Sequence, residues 1–334
     1  MSKPFAPPTS TPGNGTIHLA LLPPILPRLK TINYQYPLKL VSPAPLKSED
    51  DNPFLVYTVY LLTYGGGLVA GDAIDLHVIL EKTTRLILLT QGSTKLFKAP
   101  SRDVLSKQCM TVTLAPESAL CYLPDPVQPF EKSKFEQQQI YKIELSSSPD
   151  VRSGSLCVLD WVSNGRPANG ENWSFYHYGS RNEVFLSRPD GIRKLLLRDN
   201  LLLHDRMLGD NIAQRMDGLA VYGTLILYGP VFQHLGQFFM NEFKLLPRIG
   251  GRKWDSGSES GDEEVDLEAV KRANRHRREI IDGVLWSAAS VRGCVVVKFG
   301  APVLEAARRW LHDMLLEENT VIEYFGERSL LCLR

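Results

Sequence analysis

Hydrophobic and polar residues alternate with a period of two along much of this chain. In residues 74–81 every second side chain is apolar and most of the intervening ones are polar, and residues 110–114 and 141–145 repeat the pattern. Successive side chains of a strand point to opposite faces, so this alternation is typical of half-buried strands. Clusters of Gly, Pro, Asn and Asp separate the runs. The pattern predicts a mainly β fold.

Helical periodicity marks two segments. Pro302 suits the first turn of a helix, and the apolar residues that follow it fall on one helical face: Val303, Ala306, Ala307, Trp310, Leu311 and Met314. A second segment carries apolar side chains at similar spacing: Phe232, Leu235, Phe239 and Phe243. The sequence therefore predicts two helices, at about residues 231–246 and 302–316.

Two stretches of biased composition lie outside these patterns. Residues 1–15 are rich in Pro and Gly, which predicts a disordered lead before a single domain over residues 16–334. Residues 255–266 are rich in Ser, Gly and acids, and residues 271–278 are basic. We interpret residues 250–279 as a low-complexity insertion, a solvated acidic loop followed by a short basic helix. A docking arm for a partner is the alternative.

Bulk composition narrows the function classes. Of the 334 residues, 43% are hydrophobic and 22% charged, as in soluble globular proteins, and the net charge is +1. That balance points to neither nucleic acid nor an anionic membrane. The longest apolar run, residues 219–232, is short and contains two glycines and a proline, so no membrane span is expected. Five cysteines without CxxC spacing favour reduced thiols and a cytoplasmic location.

A glycine cluster, YGGGLVAGD at residues 64–72, is the most distinctive local motif. Gly65, Gly67 and Ala70 match the loose dinucleotide pattern GxGxxG/A, but that pattern requires a helix next, whose amides bind the pyrophosphate. The segment that follows alternates like a strand, and the chain contains no GxxxxGK[ST]. Nucleotide chemistry is therefore not expected. The glycines instead permit a crowded turn beside Asp72, which either caps that turn or has a function.

Two segments together resemble a known family. Residues 66–72, which include Gly66, Gly67 and Gly71, resemble the GG[LI]VxGD signature of the UreD (UreH) urease accessory proteins. Residues 90–98, TQGSTKLFK, resemble the family's TQxxTKxYR segment and include Thr94 and Lys95.

Shorter matches follow along the chain, and the resemblance covers residues 28–249 and 280–330. LPDP with Pro129-Phe130 resembles LPQP…F; Asp160, Gly165-Arg166 and Gly170-Glu171 resemble D…GRxxxGE; His204-Asp205-Arg206 resembles the xER/xDR strand; and VYGTL resembles VxGTL. The sequence departs from the family patterns at Ala70, Phe97, Lys98 and Asn172-Trp173.

The resemblance implies both a fold and a set of partners. The fold is a many-stranded, β-helix-like double-layered sheet with two helices. The partners are the helical protein UreF, through it the GTPase UreG, and apo-urease, on which the assembly assists nickel insertion. GTP hydrolysis then belongs to the partner, so this chain is expected to be a non-enzymatic scaffold.

The candidate site residues are sparse carboxylates. Seven histidines are present, but none forms HxH, HExxH or a Cys/His cluster, so no tightly bound cofactor is expected. Carboxylates bind divalent cations more weakly, which suits a transient nickel passage. Each of three candidates lies in a family-like motif: Asp72, Asp160 and Asp205. Glu171 is a weaker candidate of the same kind.

Each candidate has a structural alternative. The acids pair with nearby arginines, for example Asp205 with Arg206, and Thr94 and Lys95 are hydrogen-bonding residues at a strand end. A metal-free β-sheet protein-binding module is the alternative function for the whole chain.

Overall fold

The computed structural model describes residues 11–23, 26–47, 55–206, 211–246 and 267–334. Within these ranges the strands are β1 (Asn14–Leu22), β2 (Leu26–Tyr34), β3 (Leu38–Val41), β4 (Leu46–Lys47), β5 (Leu55–Thr63), β6 (Gly67–Leu68), β7 (Ala73–Leu80), β8 (Arg85–Leu89), β9 (Thr94–Leu96), β10 (Ser106–Leu114), β11 (Ala119–Tyr122), β12 (Val127–Pro129), β13 (Lys134–Glu144), β14 (Ser155–Ser163), β15 (His177–Ser187), β16 (Arg193–His204), β17 (Val221–Tyr228), β18 (Leu285–Val291) and β19 (Cys294–Ala301).

The helices in the same ranges are α1 (Ile212–Arg215), α2 (Gln233–Leu245), α3 (Leu267–Asp282), α4 (Leu304–Glu318) and α5 (Thr320–Phe325). Short 3₁₀ turns precede α2, at Pro230–Phe232, and end the chain, at Glu327–Leu333. No helix in the described ranges is both long enough and apolar enough to cross a membrane.

The strands form two stacked sheets, and the chain alternates between them. As far as the structure describes the chain, the smaller sheet has seven strands in the order β16-β15-β13-β10-β7-β1-β2. The larger sheet, counted over the same residues, has twelve, with the main path β18-β19-β17-β14-β11-β8-β5-β3. The chain passes from β7 to β8, β10, β11, β13, β14 and β15, and each strand lies parallel to its predecessor in its own sheet. This coiling gives the β-helix-like double layer.

Two cores hold three layers together. The first lies between the sheets and contains inward residues of both, such as Leu76 and Val112 of the smaller sheet and Leu88 and Leu156 of the larger one. The second lies between the larger sheet and the helices and contains Trp161, Phe239 and Trp310. Strand β14 is buried along its whole length because one of its faces meets each core.

The predicted mainly β, double-layered fold is confirmed. The two predicted helices correspond to α2 and α4, α3 contains the short basic helix predicted within the insertion, and α1 and α5 are additional. Strand β1 begins at Asn14, inside the predicted disordered lead, whose residues 1–10 lie outside the described ranges.

The predicted insertion at residues 250–279 also lies partly outside the described ranges. Residues 250–266 lie outside the described ranges, and the predicted short basic helix is part of α3. This helix is joined to the helical layer, because Arg275 pairs with Glu242 of α2 and Glu317 of α4.

Candidate functional site

Asp160 lies between the two sheets. It is on β14, and its side chain occupies the face that Leu156, Val158 and Val162 turn toward the smaller sheet. Only 9% of the residue is exposed. The carboxylate therefore stands at a position that strand periodicity assigns to the inter-sheet core.

Neutral side chains of the smaller sheet satisfy this carboxylate. Gln137 on β13 donates to Oδ1 at 2.6 Å, and Asn182 on β15 donates to Oδ2 at 2.6 Å. Ser180 also donates to Oδ2. Burial raises the pKa of Asp160 above its usual range, and these three donors oppose that shift. The acid of the D…GRxxxGE-like motif, Asp160, is therefore buried, and burial favours its neutral form.

The glycine loop ties two strands together at the surface. The Asp72 side chain accepts a hydrogen bond from the Val69 amide at 2.8 Å, which caps the turn. Ser106 of β10 joins this turn by accepting from the Gly71 amide and donating to the Val69 carbonyl. The structure therefore gives Asp72 the role of turn cap.

Close backbone approach requires glycine at position 67. A Cβ there would lie 2.3 Å from the carbonyl oxygen of Lys95, because β6 pairs with β9 at this point. Gly66 and Gly71 are favoured for a different reason. Their φ angles are +73° and +90°, a backbone conformation that glycine adopts without steric cost. The glycine signature and the Thr94–Lys95 motif thus contact each other through the pairing of β6 with β9.

Thr94 and Lys95 begin β9 and point in different directions. Lys95 is exposed, and Thr94 is half-buried beside β12, where it pairs with Val127. Thr94 lines the interior cavities described below.

Glu171 forms a structural ion pair. It receives two hydrogen bonds from the guanidinium of Arg166, one of them 2.9 Å long, and a third from the amide of Glu131. The Arg166 hydrogen bonds are the main reason that the pKa of Glu171 lies below its usual range. The guanidinium of Arg166 also stacks on Phe130, with its central carbon 3.8 Å from the centre of the ring. The GRxxxGE-like residues therefore close a loop by charge pairing.

Asp205 is also held by an arginine, but its partner is Arg102 and not the neighbouring Arg206. Two hydrogen bonds of 2.9 and 2.5 Å join Arg102 to the carboxylate. These bonds lower the pKa of Asp205, whose side chain is 23% exposed at the rim of the smaller sheet. Of the three predicted aspartates, only Asp160 lies between the sheets.

Three neighbouring spaces that share lining residues lie between the glycine loop and Asp160. An open cleft of about 290 Å³ lies between Tyr64–Gly66 and residues 91–94. A cavity of about 30 Å³ shares Leu61, Leu62, Thr63 and Thr94 with this cleft. A second cavity, of about 20 Å³, shares Thr90, Thr94, Gln108 and Tyr122 with the first and reaches Asp160. Thr94 lines all three spaces, and each inner cavity is large enough for a water molecule.

Polar side chains surround the inner end of this series. Burial is the main cause of the raised pKa of the Tyr122 and Tyr178 phenols. The nearby carboxylate of Asp160 raises both further. Gln139 accepts a hydrogen bond from Tyr141. The cluster offers oxygen ligands, which suit divalent cations held briefly. Across the described part of the chain, no three His, Cys, Asp or Glu side chains are grouped to hold a metal ion.

Sequence reasoning missed the residues that support Asp160. A signal was present, because β13 places Gln137 and Gln139 in register with Phe135, Tyr141 and Ile143 on its buried face. Polar residues at core positions of an alternating strand indicate a buried polar network.

Comparison with known proteins identifies the family. A family model described as UreD urease accessory protein matches residues 15–323. The chain belongs to the UreD family. The resemblance found in its motifs is thereby confirmed, and UreD membership gives the chain an accessory role with the urease maturation machinery.

Individual UreD relatives cover most of the chain. Urease accessory protein 4 of Cryptococcus neoformans var. grubii is 35% identical in an alignment 339 positions long, which covers 92% of this chain and 91% of that protein. An uncharacterized ureD-like urease accessory protein of Schizosaccharomyces pombe is 31% identical over 87% of this chain and 89% of its own. Urease accessory protein D of Arabidopsis thaliana is 34% identical, over 58% of this chain and 61% of its own.

Proposed function

We propose that this chain is a non-enzymatic scaffold that binds apo-urease together with UreF and, through UreF, UreG, and that it gives nickel a passage between its two sheets. The series of spaces from the glycine-loop cleft to buried Asp160 carries this proposal. The ion is cargo, so no tightly bound cofactor is involved. The proposal places the chain in the cytoplasm, where its five free thiols stay reduced.

The proposed route begins at the cleft beside Gly65 and Gly66 and passes Thr94 before it reaches Asp160. Asp72 and Asp205 do not line these spaces and remain outside the route. A single carboxylate with amide and hydroxyl neighbours suits a station that must release its ion, because oxygen donors exchange divalent cations faster than thiolates or clustered imidazoles. Hydration of the two small cavities would also lower the cost of an ionised Asp160.

Replacement of Asp160 by Asn tests the passage. The experiment uses cells that make urease, lack their own copy of this chain and express each variant. We expect Asp160→Asn to lower nickel-dependent urease activation severalfold while UreF still co-purifies with the chain. Asp75→Asn is the matched control, since Asp75 is on the outer face of the smaller sheet and half-exposed.

Two other outcomes have separate meanings. Normal activation in Asp160→Asn cells, with UreF bound, would eliminate the passage and leave the metal-free β-sheet binding module. If the wild-type chain did not bind UreF, the proposed scaffold role would be wrong.

A further inference from the structure

A buried ion pair links the wall of the inner cavity to the helical layer. Asp125, between β11 and β12, is 7% exposed and lines the same cavity of about 20 Å³ as Asp160. Arg308 of α4 donates to its Oδ1 at 2.7 Å. The pair therefore joins the wall of the cavity to a helix of a different layer.

The two oxygens of Asp125 have different partners. Oδ2 accepts from the Gly92 amide at 2.8 Å and from the Thr90 hydroxyl at 3.0 Å. Both donors belong to the segment that begins the TQxxTK-like motif. Oδ1 is the oxygen that Arg308 occupies. Removal of Arg308 would thus leave Asp125 held by the Thr90–Gly92 segment and take the cation away from Oδ1.

Arg308 is itself fixed by its surroundings. Its guanidinium carbon lies 6.0 Å from the ring centre of Trp161, and its side chain is 23% exposed. Its positive charge offsets that of Asp125, so the cavity wall carries Asp160 as its uncompensated carboxylate. The number of charged oxygen ligands is a main determinant of how tightly a site holds a divalent cation.

We propose that Arg308 is a positioning residue that masks Asp125 and so keeps the inner cavity from trapping the nickel ion. This inference rests on the proposed passage. With the mask, a divalent ion meets one carboxylate that has no cation partner, Asp160, and moves on. Without it, Oδ1 of Asp125 joins Asp160 as a second anionic ligand, and the ion stays.

Nickel binding by the purified full-length chain tests this role directly. Titration with nickel chloride in a calorimeter should show Arg308→Met binding about tenfold more tightly than the wild type, or more, because a nearby positive charge has been removed. Arg309→Met is the matched control, since Arg309 is the next residue, its side chain is 53% exposed, and it pairs with Asp282 at 2.8 Å. It should leave the affinity unchanged.

Two further variants separate masking from a merely structural role. Arg308→Lys keeps the cation and should restore wild-type affinity. Arg308→Met combined with Asp125→Asn removes the freed carboxylate and should also return the affinity to the wild-type value. If Arg308→Met does not fold, Arg308→Gln is titrated in its place, and the same tighter nickel binding is expected. A folded Arg308→Met or Arg308→Gln protein that keeps Asp125 and binds nickel no more tightly than the wild type overturns the proposal.

The result is distinguishable from failure of the passage itself. If Asp160→Asn abolishes urease activation but Arg308→Met does not tighten nickel binding, the passage stands and the mask is wrong. If Arg308→Met tightens binding but Asp160→Asn activates urease normally, the masked pair controls metal affinity and the passage is wrong.

Discussion

A carboxylate at a core position is costly at the residue scale, and Asp160 meets that cost with hydrogen bonds instead of a cation. Gln137, Ser180 and Asn182 come from two neighbouring strands of the opposite sheet. Neutral donors satisfy the oxygens without cancelling the charge. The carboxyl group can therefore still exchange a proton, which an arginine partner would hinder by stabilising its ionised form.

The raised pKa of Asp160 predicts how stability depends on pH. A folded carboxyl with a raised pKa holds a proton that the unfolded chain has already released, so its contribution to stability is present at low pH and is lost as the pH rises through the folded pKa. Asp160→Asn mimics the neutral form at all pH values. Urea unfolding from pH 4 to 8 should therefore show the variant gaining stability relative to the wild type as the pH increases. A pH-independent difference between the two would contradict this assignment.

Gly67 allows the close approach of β6 to β9 and gives a second prediction at the same scale. Gly67→Ala places a methyl group against the Lys95 carbonyl, and overpacking of this kind costs about 1–3 kcal/mol of unfolding free energy. Gly66→Asn is the control, because Asn tolerates positive φ and the space around Gly66 is open. Chemical denaturation of the two variants should show the larger loss at Gly67. Equal losses would mean that backbone conformation, and not close approach, sets the requirement.

At the scale of elements, α3 is part of the helical layer through its buried acid. Glu279 is 6% exposed and accepts from the indole nitrogens of Trp286, at 3.2 Å, and Trp310, at 2.9 Å. Trp286 belongs to β18 and Trp310 to α4, so one side chain joins three elements. Most described side chains of α3 are exposed, and Glu279 is the buried one that attaches the helix to β18 and α4.

Removal of Glu279 should therefore destabilise the protein. Glu279→Ala leaves two indole donors without this acceptor, at a cost of about 1–3 kcal/mol. Arg277→Ala, at an exposed position on the same helix, should change stability by no more than about 0.5 kcal/mol. Thermal unfolding followed by circular dichroism compares the two. A similar small effect from both would mean that α3 is only loosely attached.

At the scale of the whole molecule, the proposed passage depends on the way two sheets and a loop meet. Thr94 lines the cleft and both inner cavities, so it is the common point of the series. Thr94→Leu adds apolar bulk there and removes a hydroxyl. Nickel-dependent urease activation should fall severalfold, and Thr94→Ser, which adds no bulk, should activate urease nearly as the wild type does. Full activation by Thr94→Leu would contradict the proposed route.

The sequence by itself determined many of the strands, the helices α2 and α4 and the identity of the family. Alternation is a local consequence of strand geometry, and it predicted β7, β10 and β13 because one face of each is buried. The absence of a helix after the glycine cluster excluded a nucleotide loop for an equally local reason, and β7 does follow that loop.

Only the tertiary structure decided what each acid does. Sequence proximity suggested Arg206 for Asp205, but the partner is Arg102, which the fold brings from 103 positions away. The three candidate aspartates looked alike in their motifs, yet one caps a turn, one forms an ion pair at a rim, and one lies between the sheets. Whether a carboxylate is buried, paired or free depends on residues from other strands and helices, and strand periodicity contains no information about which of them will meet.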